Sequence, residues 1–558
     1  MQQYTVLSPW AATRFTEKKP ICPRPTSLAG RTIGLYASFK EYHPFFMQEL
    51  ERQLSAVLPE TKFSHFTYTV DTQEICNDPD NLPAFSAWLG SVDCVVGVGA
   101  DMGSCALYMG YNFAYIESCG KPAVLLSKEQ YLPSASKGAS ARSYPGLRIV
   151  TYDGPGFVPN GVDCSEWTIG VYRSKIAAML PDILAALTAP LSGEELGPRP
   201  RRDWSGETFT GTLDELNDRF YALGFTNGTP ITPPTEEAVA EMCRGTDLPR
   251  GHVVAELPPL RGQATVEKIA VNAVMAGCLP TYFPLVLAAV EGMADDIIKL
   301  EGWTCSNSCW APTMVISGPI RNAIGINCGR NHFSPYTRPQ SCIARAVAYC
   351  IMNISGCRSG LEDMSGAGSD SRFGVCVAED EENSPWPPLP ADLGLEGGDN
   401  AITLFWPSEH TQLPTASVSA CLQKLCTVWH GGFDVGAMIV LPPELAAQFA
   451  AAGYSKQDIL NYMKEYNRRP TSEIPRAAIG NNHPRRGLIF PAPGLVHSAP
   501  LLWNTDHSFV LVGGRDWGTI YLGGGDHGGP VCKKAHLPKD YDALCEKYPG
   551  KKPDYVDY

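Results

Sequence analysis

The chain has 558 residues, 44% apolar and 18% charged, with 45 Lys and Arg against 58 Asp and Glu and a net charge of −13. That length exceeds one compact core and implies roughly two to four domains, and the composition excludes a disordered polyampholyte. The acidic balance leaves no basic excess for phosphate backbones, so no nucleic acid partner is expected, and no run approaches the roughly 18 apolar residues of a membrane span.

The start, MQQYTVLSPW, lacks the basic-then-apolar pattern of a signal peptide. The nineteen cysteines therefore read as reduced thiols in the cytoplasm, most of them small buried residues. In chain order, 31–38 (RTIGLYAS) predicts a strand, 44–57 a helix, 62–70 a strand, 82–89 a short helix, 93–98 (DCVVGV) a buried strand, 106–118 a helix, and 121–126 and 147–152 strands. A further helix is expected within 172–187. This alternation predicts an α/β domain over 1–190, flavodoxin- or Rossmann-like, with a doubly wound parallel sheet covered on both faces. The stretch 191–211, rich in Pro, Gly and charge, reads as a linker. Residues 212–558 read as a larger mixed α/β domain, with helices at 265–276, 283–300, 340–354, 416–428 and 456–466. Its strands are expected at 314–316, 401–405, 437–441, 487–490, 508–512 and 519–522. The loop-rich stretch 359–399 either divides this part into two lobes or is an ordered insertion.

The most informative segment is DCVVGVGADMGSCALYMGYNFAYIESCGKPAVLL, 93–126. A buried strand runs into glycines, and Asp101-Met102-Gly103-Ser104-Cys105 opens a helix. Ligands of open parallel sheets bind beyond the carboxyl ends of the strands, where the first helical turn offers free N–H groups and the positive end of its dipole. Asp101 or Ser104 is a candidate cap. Cys105 is thus the one thiol with a positional argument for reactivity, and Asp101, Gly103 and Ser104 are the expected substrate contacts. Two competing readings are a packing role for Cys105 and a loose dinucleotide fingerprint through Gly97, Gly99, Gly103 and Glu117.

The same residues, GADMGSCALYMGYNFAYIESCGKPAVLL, resemble the signature of the UGSC family of bacterial selenoproteins and their cysteine homologues. They are distantly similar to selenoprotein B of glycine, sarcosine and betaine reductases. The resemblance implies attack by a chalcogenolate on a substrate carbon, with a neighbouring cysteine resolving the adduct. Where the family carries selenocysteine or cysteine, this chain has Met102, while the second thiol aligns with Cys105. Dithiol cycling is therefore not expected, because both members of such a couple must form thiolates. What remains is a lone nucleophile. Downstream, GFTNGTPITPPTEE, GQATVEKIAVNAVMAGCLPTYFPLVLAAVE and ENSPW resemble the companion domain of such proteins, and this implies a pocket role for Glu267, Lys268 and Asn272.

Elsewhere in the larger part, Cys305 and Cys309 form C-x3-C with Cys328 and His332 downstream. The spacing does not match a zinc site, and loop thiols beside an aromatic pocket are the alternative. His483, within NNHPRR, and His527, beside Asp526 in GGGDHGGP, are candidate proton donors, with Asp526 a candidate substrate contact. The expected function is a cytoplasmic metabolic enzyme in which Cys105 cleaves or transfers a C–S or other C–heteroatom bond of a small organic substrate. No cofactor or metal is expected, and a homo-oligomer is possible. The alternatives are catalysis resident in the larger part beside a degenerate first domain, and a non-enzymatic binding or assembly protein.

Overall fold

The computed structural model describes residues 2–551 apart from 14–16, 71–72, 157, 160–161, 194, 197–198, 201–202, 308, 361, 370–371, 415–416, 429–435, 471–497, 501–504, 517 and 525–528. The chain opens with β1 (Tyr4–Leu7) and β2 (Glu17–Lys18). It then alternates through β3 (Thr32–Ala37), α1 (His43–Val57), β4 (Lys62–Thr67), α2 (Leu82–Gly90), β5 (Cys94–Ala100) and α3 (Gly103–Ser118). There follow β6 (Ala123–Lys128), α4 (Leu132–Ala141), β7 (Arg148–Tyr152) and α5 (Cys164–Thr188). The five strands from β3 to β7 form one parallel sheet in the order β4-β3-β5-β6-β7.

All seven residues of β5 are buried, as a Val-rich central strand requires when helices cover both faces. One face packs Leu35, Val96 and Val98 against Phe46, Leu50 and Leu54 of α1 and Ile176 and Ile183 of α5. The other packs Tyr36 and Val95 against Phe85 and Trp88 of α2, Met109 and Phe113 of α3 and Ala135 of α4. Strand order reverses between β3 and β5, and their carboxyl ends flank the crevice where such sheets bind ligands.

The element without a sequence signal is α4. Its sequence LPSASKGASA has no apolar stripe, yet its small residues let it lie against α3 at backbone distance. A Cβ on Gly110 would stand 2.8 Å from Ala139 N and 3.0 Å from Gly138 Cα.

The stretch expected as a linker carries β8 (Arg199–Pro200) and β9 (Thr208–Gly211). β8 pairs antiparallel with β2, and β9 with β1, so the first residues of the chain join the larger part. That part continues with α6 (Leu213–Ala222), held by a capping box of Thr212 and Glu215, and α7 (Glu236–Cys243). The hairpin β10 (Val253–Leu257) and β11 (Gly262–Thr265) leads into α8 (Val266–Met275), α9 (Phe283–Met293) and α10 (Leu300–Thr304). The expected helix 283–300 stops at Met293, because Asp295 closes a turn by accepting from Ile297 N, and Lys299 is left-handed with φ 46°.

Then come β12 (Thr313–Ser317), α11 (Ile320–Ile324), α12 (Arg338–Cys350), β13 (Val375–Ala378), β14 (Ala401–Phe405) and β15 (Pro407–Leu413). The last strands are β16 (Ala437–Leu441), β17 (Arg468–Pro470), β18 (Ser498–Pro500), β19 (Phe509–Val512), β20 (Thr519–Gly524) and β21 (Val531–Lys534). They form mixed sheets β13-β12-β14-β21 and β15-β20-β16-β19, whose facing side chains include Val315, Val377 and Phe405 against Met438, Val440 and Phe509. β13 places part of the 359–399 stretch inside the first of these sheets, parallel to β12. The strand expected at 487–490 lies outside the described residues.

Candidate active site

The β5–α3 turn is closed by the larger part. Met102 occupies the N-cap position in extended conformation, and no side chain of the turn caps the helix, contrary to the expected roles of Asp101 and Ser104. The cap comes from a loop some two hundred residues away. Gly103 N donates to Asn307 Oδ1 at 2.6 Å, and Asn307 Nδ2 donates to the Tyr131 hydroxyl at 2.8 Å. A Cβ on Gly103 would collide with the Cys305 carbonyl oxygen, so only glycine admits this approach. Gly103 O in turn accepts from Ser134 Oγ at 2.8 Å. Cys105, in the first turn, is 5% exposed, and Ser104 is equally buried.

Asp101 points into the sheet's crevice and is buried. Its Oδ1 lies 2.9 Å from Lys40 Nζ, while Oδ2 accepts from the Tyr42 hydroxyl at 2.5 Å and meets His43 Nε2 at 3.1 Å. Burial alone would raise the carboxyl, but Lys40, His43 and Lys128 outweigh it and hold it far below the usual carboxylate range. Burial lowers the His43 pKa against the pull of Asp101, so the ring is neutral at neutral pH. With Nε2–H directed to the carboxylate, Nδ1 accepts from Ser38 Oγ at 2.9 Å. The resulting Ser38–His43–Asp101 chain is wedged against β5, since a Cβ on Gly99 would stand 2.8 Å from Ser38 Oγ. It ties the β3–α1 turn to the β5–α3 turn.

A second network joins the parts one helical turn beyond Cys105. Glu74 takes a forked ion pair from Arg142 and a 2.9 Å contact from Arg261, which also reaches Glu301 at 3.2 Å. Burial raises the Glu301 carboxyl despite Arg261. Tyr108, Glu74, Arg261 and Glu301 line an interface cavity of about 480 Å³.

The other residues singled out by sequence lie in different surroundings. Glu267 accepts from Arg250 at 2.5 Å. Lys268 Nζ donates to Ser8 O at 2.8 Å and Ser205 O at 2.6 Å, and Asn272 Nδ2 donates to Pro9 O at 3.1 Å. Lys268 and Asn272 therefore hold the N-terminal segment, and neither contacts α3 in any of these bonds. Glu117 accepts from Arg24 at 2.9 Å, Ala123 N at 2.8 Å and Cys22 N at 2.6 Å, and so serves as a structural anchor rather than a ribose contact. Asp526, His527 and His483 lie outside the described residues. Trp303, Trp406, Cys357, Arg358 and Arg372 line a cavity of about 710 Å³ in the larger part, with the Cys357 thiol donating to Thr304 O at 3.0 Å. His332 is buried, which pushes its pKa down to about 4, and its Nε2 contacts Ala378 O at 2.7 Å.

Among the described residues, no three His, Cys, Asp or Glu side chains gather as a metal site, no cysteine forms a disulfide, and no helix is long and apolar enough to cross a membrane. Lys40, His43 and Lys128 escaped the sequence reading. The signal for them is a polar residue placed just past, or at the end of, an apolar strand. No curated protein matches the chain. Residues 5–188, which hold the parallel sheet, α3 and the Asp101 cluster, match the model of the UGSC family.

Proposed function

We propose that the protein is a cytoplasmic metabolic enzyme in which the Cys105 thiolate attacks a small organic substrate at a carbon bearing sulfur or another heteroatom. The new S–C bond forms as the C–heteroatom bond breaks, and the leaving atom departs with the electron pair and takes up a proton. An incoming nucleophile then attacks the same carbon and returns the thiolate. His527 or His483 of the larger part is the proposed source of the proton. The observation that carries this reading is the position of Cys105, in the first turn of α3 beyond the central strand, under a loop from the larger part. A helix N-terminus favours the anion on which both half-reactions depend.

The test is to incubate the intact chain with small thioethers, sulfonium compounds and halo acids and to map covalent mass by peptide mass spectrometry. The expected result is substrate carbon on Cys105 with loss of the leaving group, absent in Cys105→Ser. Turnover of a substrate by Cys105→Ser at the wild-type rate would overturn the reading. The 710 Å³ cavity lined by Trp303 and Trp406 favours a second reading, with catalysis in the larger part. Under that reading Cys105→Ser keeps full turnover and a bulky replacement at Gly224, on the cavity wall, abolishes it.

A further inference from the structure

The carboxyl ends of β3, β5 and β6 bring more positive than negative charge into a buried place. Lys40 and Lys128 are 7% and 3% exposed. Asp101 is the carboxylate that faces them, and it is already shared by Lys40, Tyr42 and His43. Lys128, the last residue of β6, accepts from Ser127 Oγ at 3.0 Å through its carbonyl, but its amine makes no hydrogen bond or ion pair with any described residue. The groups acting on it are Asp101 from the β5–α3 turn, Lys40 and His43 from the β3–α1 turn, and Lys175 from α5, which is itself paired with Asp153 at 2.7 Å. With His43 neutral, two ammonium groups face one carboxylate among the described residues. A buried cation without a counter-charge is costly, and a bound anion removes that cost.

The backbone is shaped for this. Gly156, on the loop after β7, has no side chain where a Cβ would stand 2.9 Å from Lys128 Nζ, 3.7 Å from Lys40 Nζ and 3.8 Å from Asp101 O. Both amines thus converge on one point beneath that loop, at the position where open α/β sheets take their ligands.

We propose that this crevice is a binding site for a small carboxylate or phosphate anion, held between Lys128 and Lys40. Asp101 is its positioning residue, because it fixes Lys40. The site does not depend on the reactivity of Cys105. Burial lowers the Lys128 pKa to about 8, so the ammonium form holds at neutral pH and is lost as pH rises through that value.

The test is calorimetric titration of the full chain with inorganic phosphate and, separately, with acetate and oxalate. At pH 7 one of these probes is expected to bind at one site, and which one does so identifies the anion class. Lys128→Gln should weaken that binding about tenfold or more, and binding to the wild type should weaken between pH 7 and 9. Gly156→Ala is the second variant. Its methyl displaces the Lys128 amine without touching a charge, and should weaken the same probe while the thermal midpoint without anion stays near wild type. Absence of binding by all three probes would overturn the proposal, as would equal affinity in wild type, Lys128→Gln and Gly156→Ala.

Discussion

At the scale of single residues, Asp101 carries the largest electrostatic consequence. Asp101→Asn leaves the buried Lys40 ammonium facing a neutral amide, and this class of change costs about 3–5 kcal/mol. The pH dependence follows from the direction of its shift. Because the folded carboxyl titrates well below its unfolded value of roughly 4, the stabilisation is fully present above that value and is lost as pH falls below it. Urea midpoints measured from pH 7 down to pH 3 should therefore fall for wild type, and the Asn variant should start lower and fall less.

Glu379 works in the opposite direction. Burial raises it to about 7, against Lys456 at 3.9 Å and donation from Leu389 N and Ser317. It favours folding below its unfolded value of roughly 4.5, and that contribution, about 3 kcal/mol, is lost as pH rises through about 7. Glu379→Gln should flatten stability between pH 5 and 8. Asp101 and Cys105 were legible in the sequence because they follow a buried strand directly. Lys40, His43 and Lys128 were not, because their meeting depends on parallel strands that are far apart along the chain.

At the scale of elements, the first turn of α3 is the decisive joint. Alanine is intrinsically better than glycine inside a helix, by about 0.5–1 kcal/mol. Gly103→Ala should nevertheless destabilise by about 1–3 kcal/mol, since its methyl meets the Cys305 carbonyl and must push the 305–307 loop away. A thermal midpoint below wild type is the expected result. A midpoint above it would mean that the loop does not close on this turn in solution. Strands and amphipathic helices of the parallel sheet follow from the period of apolar residues, and β5 and α1 are clear in the sequence for that reason. The helix α4 is not, because its contact with α3 uses small residues and close backbones rather than an apolar stripe.

At the scale of the molecule, chain order and spatial order differ. Reading along the chain groups residues 1–13 with the first domain, but β1 pairs with β9, Ala12 O accepts from Gln263 N at 2.8 Å, and Lys268 and Asn272 hold Ser8 and Pro9. Composition revealed the Pro- and Gly-rich stretch at 191–211 but not its pairing, which depends on a partner strand at the other end of the domain. The closure over α3 was equally hidden, since nothing near Asn307 or Cys305 in sequence points to Gly103. Deleting residues 1–13 removes Ser8 O, one of the two partners of the buried Lys268 amine, together with the β1 strand, and the larger part should then unfold at lower urea than in the full chain, read from its tryptophans.

The reactivity of Cys105 under that closure is the central claim, and the rate of alkylation at every cysteine of the folded chain tests it most directly. With iodoacetamide at pH 7.5 and peptide mass spectrometry, Cys105 should label well ahead of Cys278, Cys350 and Cys376, which are comparably buried and whose thiols burial pushes up. Labelling of Cys105 no faster than those three would contradict the account.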